Sequence, residues 1–571
     1  MKREENFSTA FSHQVGRYSQ MKKLAEIKIA KIPQTIPIKN IPHRWNSPIS
    51  SIFLPLGFNR EIMHLVKDKK ILIPLLVVLI FTYLYGIHYL PLRGEEANRI
   101  LTAYEMVYFH DWFNLTHLGE PYYTKPPLFM WLVALFSSLF GWSQETARLI
   151  SVLSSFLTAL LVYFFSLKLF RDRTIAVLSS FILLTFGDLI LFYGFVAEID
   201  AFHMFLFTLS VFAIFLSLSK NRDTLAYASA GLFTALLFLT KGFPAFYHMP
   251  ITFLVLLAYF NRWRSIFSPK PLIGVLTLIT PLGVWFLNLK NPNVYLSTLW
   301  GESFRRTPLG DEKIKLILQH FVVYPLLNLR QMLPHSLYAI FNLKRFWKFD
   351  YPTGGREILL LLAVFVINYL PYLVSPGARG RYLLIVFPFL AILLSVFLKN
   401  FLPREVLFFR YAFVGLVILL ITGWFLALKN FNFFEFYGFF PLIVVGLLIT
   451  ISVFGLYRFQ TWLVFTVLLL AVVKFGYINY YAPFKERKHP AREIALYLSK
   501  KIPKGEKIRY LPKRVNMELC AYLDLFTEGI VLRSEGNYFV TKKDFLPKGR
   551  KYEVIETYRG WILGRFSKEG K

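Results

Sequence analysis

Long apolar runs alternate with short polar segments over most of this chain. The runs recur from Ile71 to Ile478 and reach the length of about 20 residues that a helix needs to cross a bilayer. No run of that length occurs in residues 1–70 or 484–571. The pattern predicts a polytopic α-helical membrane protein with an N-terminal extension at 1–70, a membrane domain at 71–480 and a small extramembrane domain at 484–571.

Thirteen of the apolar runs are predicted to cross the membrane. They are 71–91, 147–170, 174–193, 201–219, 224–240, 244–261, 271–289, 324–341, 357–375, 382–398, 407–428, 438–457 and 461–480. A further apolar stretch, 128–140, has only 13 residues. It is short for a span and is predicted to be an interfacial or re-entrant helix.

The positions of lysine and arginine in the short loops indicate the topology. With a cytoplasmic N-terminus, thirteen spans place the strongly basic loops inside, as membrane proteins prefer, whereas counting 128–140 as a span would reverse them. The inner loops carry Arg171, Arg173, Lys220, Arg222, Arg262, Arg264, Lys344, Lys348, Lys399 and Arg404. The outer face collects Glu95, Glu96, Glu105, Asp111, Glu120, Lys125, Glu198, Asp200, His203, Lys241, Glu302, Arg305, Arg306, Arg379, Arg381 and Tyr382. Acidic and basic residues therefore converge on the outer face.

Composition supports this interpretation. A chain with 55% hydrophobic and only 17% charged residues is not an ordinary soluble protein. The net charge of +31 is scattered through loops between apolar runs, so membrane topology and anionic lipids explain it better than nucleic acid. A single cysteine, Cys520, excludes an intrachain disulfide and a cysteine metal cluster.

The N-terminal extension is basic and has no apolar segment typical of a cleavable signal peptide. It is predicted to be disordered or to lie on the membrane surface. Because a compact lead-in to the first apolar run starts at Met63, translation from a start downstream of Met1 is a further hypothesis.

The outer segment 92–127 holds five carboxylates and a lysine between apolar runs. Ionisable residues at or near hydrocarbon are costly, so such a segment indicates a functional site. A membrane-embedded enzyme is the leading interpretation.

Several motifs in this segment and beyond resemble the GT-C membrane glycosyltransferases, specifically the bacterial aminoarabinose lipid A transferases and the related protein mannosyltransferases. The motifs are GEEANRILTAYEM, HDWFNLTHLGEPYYTKPPLFMW, ETARLISVLSS, AEIDAFHMF, FLTKGFPA and SPGARGRYLLIVFP. They occur in the family's order through most of the membrane part, and each reaches the predicted outer face.

The resemblance implies transfer of a sugar from a polyprenyl-phosphate donor to a lipid or protein acceptor, with inversion at the anomeric carbon. The active site would face the periplasm from a multi-pass protein of the cell inner membrane. Aminoarabinose, mannose, other hexoses and pentoses all stay open as the sugar. A monomer is the simplest expectation.

By the same resemblance, Glu95 aligns with the family's catalytic aspartate and is expected to be the base, with Glu96 as its substrate-binding neighbour. Asp200 matches a second family aspartate that orients donor or acceptor. An acceptor hydroxyl loses a proton as it attacks, and the leaving phosphate needs cations, so carboxylates and lysines suit both halves of the reaction. The alternative is that these acids lie in solvated loops or helix starts.

Lys125, Lys241 and Tyr123 are predicted substrate contacts, although either lysine could instead extend to the lipid head groups. The turn with Arg379, Arg381 and Tyr382 departs from the positive-inside pattern, as a phosphate site would. The two arginines are candidates for binding the donor phosphate. Tyr382 is expected either to hydrogen-bond the donor or to lie among the aromatic residues of the membrane interface. The long charged loop from 291 to 319 is a predicted lid or binding segment, and its candidate residues are Glu302, Arg305 and Arg306.

A divalent metal ion is a further hypothesis. In the aminoarabinose transferases a glutamate before the KPP lysine helps to hold a metal, but this chain has Thr124 there. Glu198, His203, His248 and His335 are the other candidates, although a lone histidine is more often an ordinary polar contact than a ligand.

The last 88 residues, 484–571, alternate β-like runs with two helical stretches. The runs are KIRYL, GIVLR, NYFVT, YEVIETY and WILGRF, and the helices are predicted at 491–500 and 517–525. We predict a small periplasmic α/β domain with an accessory role.

Two other classes of protein fit a polytopic chain with buried charge. A polyprenyl-linked sugar flippase or transporter is the main alternative, and internal repeats or interrupted helices at the midplane would favour it. A structural or assembly protein would need no acidic outer segment.

Overall fold

The computed structural model describes residues 69–304, 313–341, 355–399 and 462–567. Its helices are α1 (Lys69–Leu84), α2 (Gly94–Tyr108), α3 (Leu128–Phe140), α4 (Gln144–Phe170), α5 (Arg173–Leu184), α6 (Ile199–Ser219), α7 (Asp223–Lys241), α8 (Ala245–Tyr259), α9 (Lys270–Leu287), α10 (Pro292–Phe304), α11 (Lys313–Gln331), α12 (His335–Phe341), α13 (Gly355–Leu373), α14 (Phe387–Lys399), α15 (Trp462–Lys488), α16 (Ala491–Ser499) and α17 (Met517–Thr527). A π-helical turn covers Leu189–Tyr193, and a 3₁₀ helix at Gly380–Val386 leads into α14.

Seven helical stretches in the described part of the chain are long and apolar enough to cross a membrane. They are Gln144–Phe170, Ile199–Ser219, Asp223–Lys241, Lys270–Leu287, Gly355–Leu373, Gly380–Lys399 and Thr466–Lys488. All seven coincide with predicted spans, which confirms a multi-span helical protein. The predicted spans 407–428 and 438–457 lie outside the described residues, and the count of thirteen stays a prediction.

Three predicted spans have wrong boundaries. The first, 71–91, ends as a helix at Leu84, because Gly86 takes φ +92° and the chain then turns towards Pro91. The third, 174–193, is helical only to Leu184 before it resumes as the π-helical turn. The eighth, 324–341, is divided between α11, which begins already at Lys313, and the short α12.

The breaks in the third and eighth predicted spans face each other. The Gly187 N–H donates to the carbonyl oxygen of Leu333 at 2.9 Å, and the Gln331 amide donates to Asp188 at 2.6 Å. Thr185 and His335 hydrogen-bond at 2.8 Å beside them. Each break thus supplies hydrogen-bond partners for the polar groups that the other exposes.

Two segments predicted as loops contain helices. The acidic segment 92–127 forms α2, followed by a two-stranded hairpin of β1 (Thr116–His117) and β2 (Glu120–Pro121). The predicted loop 291–319 is also wrong as a loop, because α10 and the first turns of α11 occupy most of it. The short stretch 128–140 is helical, as predicted.

The C-terminal strands form where alternation predicts them. They are β3 (Lys507–Tyr510), β4 (Ile530–Leu532), β5 (Tyr538–Lys542), β6 (Tyr552–Tyr558) and β7 (Trp561–Phe566). Their order in the sheet is β4-β3-β5-β7-β6. Strand β3 runs parallel to β4 and β5, and β7 pairs antiparallel with β5 and β6.

The C-terminal domain packs directly on α2. Their buried side chains, among them Leu101 and Met106 of α2 and Leu519 and Leu523 of α17, form one hydrophobic cluster. The Tyr522 hydroxyl accepts from the Leu92 N–H and donates to the Gln144 side chain, each at 2.8 Å. The C-terminal domain therefore supports both α2, which carries Glu95 and Glu96, and the residue that precedes its first turn.

The loops predicted to lie inside meet at the opposite ends of the helices. Lys399 forms an ion pair with Asp172, and Lys270 lies 2.7 Å from Asp223. Arg262 donates a hydrogen bond to the side chain of Asn221. The grouping of these loops agrees with the predicted topology.

Candidate active site

Helix α2 begins with two adjacent glutamates whose side chains have different surroundings. Glu96 is the third residue of the helix, and its carboxylate accepts the Arg93 N–H at 3.1 Å, which satisfies a backbone donor at the start of the helix. Its neighbour Glu95 has a side chain 37% exposed. Adjacent residues of a helix lie about 100° apart around its axis, so only one of the two reaches the open side.

Glu96 is fully buried against Arg148 of α4. The guanidinium donates to both carboxylate oxygens at 2.7 and 2.9 Å, and the Ala197 N–H adds a third bond at 2.9 Å. Burial acts to raise the pKa of Glu96, but Arg148 and these hydrogen bonds hold it below its usual value. The predicted substrate contact of Glu96 is not supported by this geometry, because both oxygens are occupied inside the protein.

Arg148 also ties down the chain before α2. Its Nη1 donates to the carbonyl oxygens of Ile87 and Leu90, both at 2.7 Å. One buried guanidinium thus joins α4, the 87–91 turn and the start of α2.

Three carboxylates converge on Arg381 in the 3₁₀ helix. Its guanidinium nitrogens lie 3.7 Å from Glu95 and 3.7 Å from Asp200, and Nη1 donates to Glu198. The elements that carry these groups are about 100 to 290 residues apart in the sequence. This cluster is the centre of the candidate site.

Lys241 makes a second contact with Asp200. Its ammonium lies 2.5 Å from the carboxylate and 4.7 Å from the centre of the Tyr382 ring. Lys241 ends α7, and Gly242 follows with φ +88°, a conformation that allows the chain to turn away at this point. Asp200 lies in the first turn of α6, so two helix ends meet at this ion pair.

Lys125 and Arg99 complete the positive side of the site. Arg99 donates to Glu95 at 3.0 Å and to the Tyr122 hydroxyl at 3.1 Å. Lys125 has no carboxylate within ion-pair distance among the residues that the structure describes. Burial, with a smaller effect of Arg99, lowers the pKa of Lys125 to about 8.

The same cations determine the charge of Glu95. Burial acts to raise its pKa, but Arg99, Arg381, Lys125 and Arg379 together outweigh burial and lower it. The Glu95 carboxylate is therefore ionised at neutral pH and able to accept a proton.

A cavity of about 410 Å³ lies beside the charged cluster. Lys125, Lys241 and Tyr382 line it, together with Thr124, Phe243, Pro244, Tyr247, His248, Leu299, Glu302, Ser303, Pro371, Tyr372, Ser375 and Ala378. The same three residues also line a small void of about 40 Å³ with Arg99, Glu198, Asp200 and Arg381. The site thus combines a partly apolar chamber with a group of cations at one wall.

Some predicted residues lie apart from this chamber. Arg379 is exposed, and its carbonyl oxygen accepts from Tyr324 at 3.4 Å. Tyr123 accepts a hydrogen bond from Asn291 at 3.2 Å, and its ring is tilted by 54° against that of Tyr295, with ring centres 5.1 Å apart. Arg305 and Arg306 lie outside the described residues.

Three residues of the site were missed as functional residues from the sequence. Arg99 lies four positions after Glu95, a spacing that predicts an ion pair on one helix face. Glu198 was noted as an outer acid and a candidate metal ligand, not as a partner of Arg381, and Arg148 only as part of a motif. Their pairing with Arg381 and Glu96 joins distant elements, so local spacing gave no signal for it.

A divalent metal does not fit the donor groups that surround this site. Among the described residues, no three histidine, cysteine, aspartate or glutamate side chains are placed to hold a metal ion. The Arg381 guanidinium lies where three carboxylates converge, and Thr124 contributes a hydroxyl at the chamber wall. His248 hydrogen-bonds Asn368 and Tyr372, each at 2.8 Å, and His335 bonds Thr185.

Comparison with known proteins agrees with the fold and the motifs. The sequence profile of the dolichyl-phosphate-mannose-protein mannosyltransferase family matches residues 124–285. The crystal structure of ArnT from Cupriavidus metallidurans bound to undecaprenyl phosphate superposes with a TM-score of 0.62 at 18% identity, covering 86% of this chain and 97% of that one. The chain therefore has the GT-C fold.

Two relatives found by sequence are transferases with the same name. An undecaprenyl phosphate-alpha-4-amino-4-deoxy-L-arabinose arabinosyl transferase of Enterobacter sp. (strain 638) is 29% identical over 338 residues, or 56% of this chain. The enzyme of the same name from Aeromonas hydrophila is 26% identical over 326 residues, or 55% of this chain. The chain spans 58% of the length of each relative. The predicted resemblance to the GT-C aminoarabinose and mannosyl transferases is confirmed.

Proposed function

We propose that this protein is an inverting glycosyltransferase that moves a sugar from a polyprenyl-phosphate donor to a lipid or protein acceptor. The observation that carries the proposal is the partly exposed Glu95 carboxylate beside Arg381, which lines a small void together with Lys125 and Lys241 from the wall of the partly apolar chamber. The names of the relatives support a pentose donor on undecaprenyl phosphate.

In the proposed reaction, the acceptor oxygen bonds to the anomeric carbon from the face opposite the phosphate. The bond between that carbon and the phosphate oxygen breaks, and its electron pair leaves with the polyprenyl phosphate. The acceptor proton passes to the Glu95 carboxylate. The configuration at the anomeric carbon is inverted, and atoms and charge balance without a further reactant.

The cations stabilise the leaving group. Polyprenyl phosphate gains one negative charge as the sugar leaves, and positive groups placed in advance lower the energy of that developing charge. Lys125 is the best candidate because its ammonium has no carboxylate within ion-pair distance in the described part of the chain. Lys241 and Arg381 also balance Asp200 and Glu198, and they hold the first turn of α6 in place.

We further propose that the protein lies in the cell inner membrane as a monomer, with the site facing the periplasm. Supporting this orientation, the basic loops group at one end of the helices and the candidate site lies at the other.

The proposal is tested with purified protein in proteoliposomes, given one radiolabelled polyprenyl-phosphate sugar at a time and a membrane extract as acceptor. Label is expected to move from one donor to an acceptor. Donor flipping is measured in parallel with a fluorescent polyprenyl-phosphate sugar. Flipping without transfer from any donor would show that the protein is a flippase and not a glycosyltransferase. The facing helix breaks at 185–188 and 332–334 favour that alternative.

The titration of Lys125 gives a pH-dependent prediction. The donor is a phosphodiester with constant charge in this range, whereas Lys125 loses its charge as the pH rises through about 8. If only the protonated lysine binds phosphate, the donor KM is expected to rise about tenfold between about pH 7 and about pH 9. A Lys125→Arg variant stays charged and is the matched control, so its donor KM should stay level. An equal rise in both proteins would assign the pH dependence to another group.

Removal of metal ions is the second prediction. Because Arg381 lies among the three carboxylates, transfer is expected to keep its rate within about twofold after treatment with EDTA and gel filtration. Metal content before and after treatment is measured by mass spectrometry. A large loss of activity that zinc, magnesium or manganese restores would contradict the prediction and show that transfer needs a metal.

A further inference from the structure

A second large cavity lies between the end of α15 and the C-terminal sheet. Its volume is about 720 Å³. Its lining residues are Tyr481, Phe484, Lys485, Lys488, His489, Tyr510, Pro512, Arg514, Val515, Asn516, Glu518, Lys542, Phe545 and Trp561. None of them lines the chamber beside the charged cluster of Arg381. We propose that this cavity binds the phosphate-bearing head group of an anionic membrane lipid, as a site separate from that of the donor.

The charge of the cavity favours an anion. Lys485, Lys488, Arg514 and Lys542 line it against a single carboxylate, Glu518. Within the described residues, Lys488, Arg514 and Lys542 form no ion pair. The cations therefore face the cavity without acidic partners that an incoming phosphate would have to displace.

The wall that carries Arg514 is held in place before any ligand arrives. The Tyr510 hydroxyl donates to the Arg514 carbonyl oxygen at 3.1 Å and accepts the Asn516 N–H at 3.0 Å. Arg533 donates to the carbonyl oxygens of Pro512 and Lys513 at 2.5 and 2.9 Å. A wall fixed in this way loses less conformational entropy when a ligand binds.

Lys542 lines the cavity from the end of strand β5. Its ammonium lies 5.2 Å from the centre of the Trp561 ring, and Trp561 is itself 6% exposed. Cations therefore line the cavity both from the loop at 511–516 and from the end of strand β5.

The position of the cavity indicates a lipid rather than a soluble anion. Helix α15 includes the candidate span Thr466–Lys488, and the cavity lies around the last turn of that span. Phe484 is 45% exposed at this turn, next to Tyr481. Aromatic and basic residues at the end of a span are typical of the head-group region, where basic clusters attract anionic lipids.

The cavity also adjoins the start of the acidic helix. The Lys485 ammonium donates to the Leu92 carbonyl oxygen at 2.7 Å. A small void of about 60 Å³, lined by Leu92, Lys485 and Tyr522 among others, lies between the cavity and the residues that precede α2. A lipid head group here would lie at the back of the helix that carries Glu95.

The test measures binding to the full chain in phosphatidylcholine nanodiscs. The probes are short-chain phosphatidic acid, short-chain phosphatidylcholine and inorganic phosphate, compared by isothermal titration calorimetry. The wild type is expected to bind phosphatidic acid most tightly. An Arg514→Gln/Lys542→Gln variant is expected to lose about tenfold or more in affinity, because each cation near the head group contributes to binding.

A Lys500→Gln/Lys501→Gln variant removes the same charge from the same domain outside the cavity and should bind within about twofold of the wild type. Thermal unfolding of both variants checks the fold. Equal loss in both variants, or none in the cavity variant, would overturn the proposal. If inorganic phosphate binds as tightly as phosphatidic acid, the cavity is a site for a free anion and not for a lipid. This test needs no sugar transfer, so its outcome is independent of the proposed enzyme activity.

Discussion

Replacing Glu95 by glutamine is expected to lower the kcat of sugar transfer by about 10³-fold, within the range of about 10² to 10⁴ that a general base contributes. The change keeps the size of the side chain and removes its ability to take the acceptor proton. Arg99 and Arg381 lie 3.0 and 3.7 Å from Glu95 and are held by other partners as well, so the fold should tolerate the loss of one charge. The rate is measured with saturating donor in proteoliposomes.

Two further variants sharpen this experiment. Glu120→Gln removes an exposed acid from the hairpin after α2 and should leave kcat within about twofold. Glu95→Asp keeps the carboxylate with a shorter side chain, as in the aspartate of the resembling family, and should recover part of the activity that Glu95→Gln loses. A Glu95→Gln enzyme that keeps about a third or more of the wild-type kcat would exclude Glu95 as the base.

The largest effect on stability is expected from Arg148→Met. Removing one member of a buried ion pair leaves an uncompensated charge and typically costs about 3–5 kcal/mol. Here the remaining carboxylate is Glu96, which is fully buried, and the carbonyl oxygens of Ile87 and Leu90 lose their donor as well. The measurement is the thermal unfolding midpoint of purified protein in detergent, with sugar transfer measured in parallel.

A rescue variant separates the charge effect from lost packing. Adding Glu96→Gln to Arg148→Met removes the buried charge while Oε1 still accepts the Ala197 N–H, so part of the lost stability should return. Lys168→Met, an exposed position near the other end of α4, is the control and should change the midpoint little. An unfolding midpoint unchanged in Arg148→Met would show that the pair contributes nothing to stability.

The C-terminal strands were predictable because their signal is local. Alternating apolar and polar residues between turn residues define a half-buried strand within a few positions, and β3 to β7 appear where such runs occur. Long apolar runs identified the seven candidate spans for the same reason.

Helix ends inside apolar runs were not predictable in this way. The end of α1 depends on the left-handed backbone at Gly86, and the paired breaks near Gly187 and Leu333 depend on contacts between elements far apart in sequence. Hydropathy averaged over a window continues across such breaks because the residues on both sides are apolar. Helix α2 was missed for the opposite reason, since its charged first turn resembles a loop in hydropathy alone.

The sequence predicted that the residues of the candidate site lie on one face of the membrane, but it did not predict which of them form ion pairs. Glu95, Asp200, Lys125, Lys241 and Arg381 do converge, because counting spans assigns each helix end to a side of the membrane. Which acid turns inward depends on rotation about the helix axis. Glu96 therefore pairs with buried Arg148, whereas Glu95 stays at the open side.

The packing of α2 against the C-terminal domain has a consequence for biosynthesis. The buried face of α2 is completed by residues such as Leu519 and Leu523, more than 400 positions later in the chain. A ribosome has therefore made nearly the whole protein before the acidic helix can acquire its native neighbours, and contacts of such large sequence separation form slowly. Chains that terminate before 517 would insert their upstream membrane helices and yet lack the α17 residues that pack on the helix of Glu95, so the candidate site gains this support only after α17 has been made.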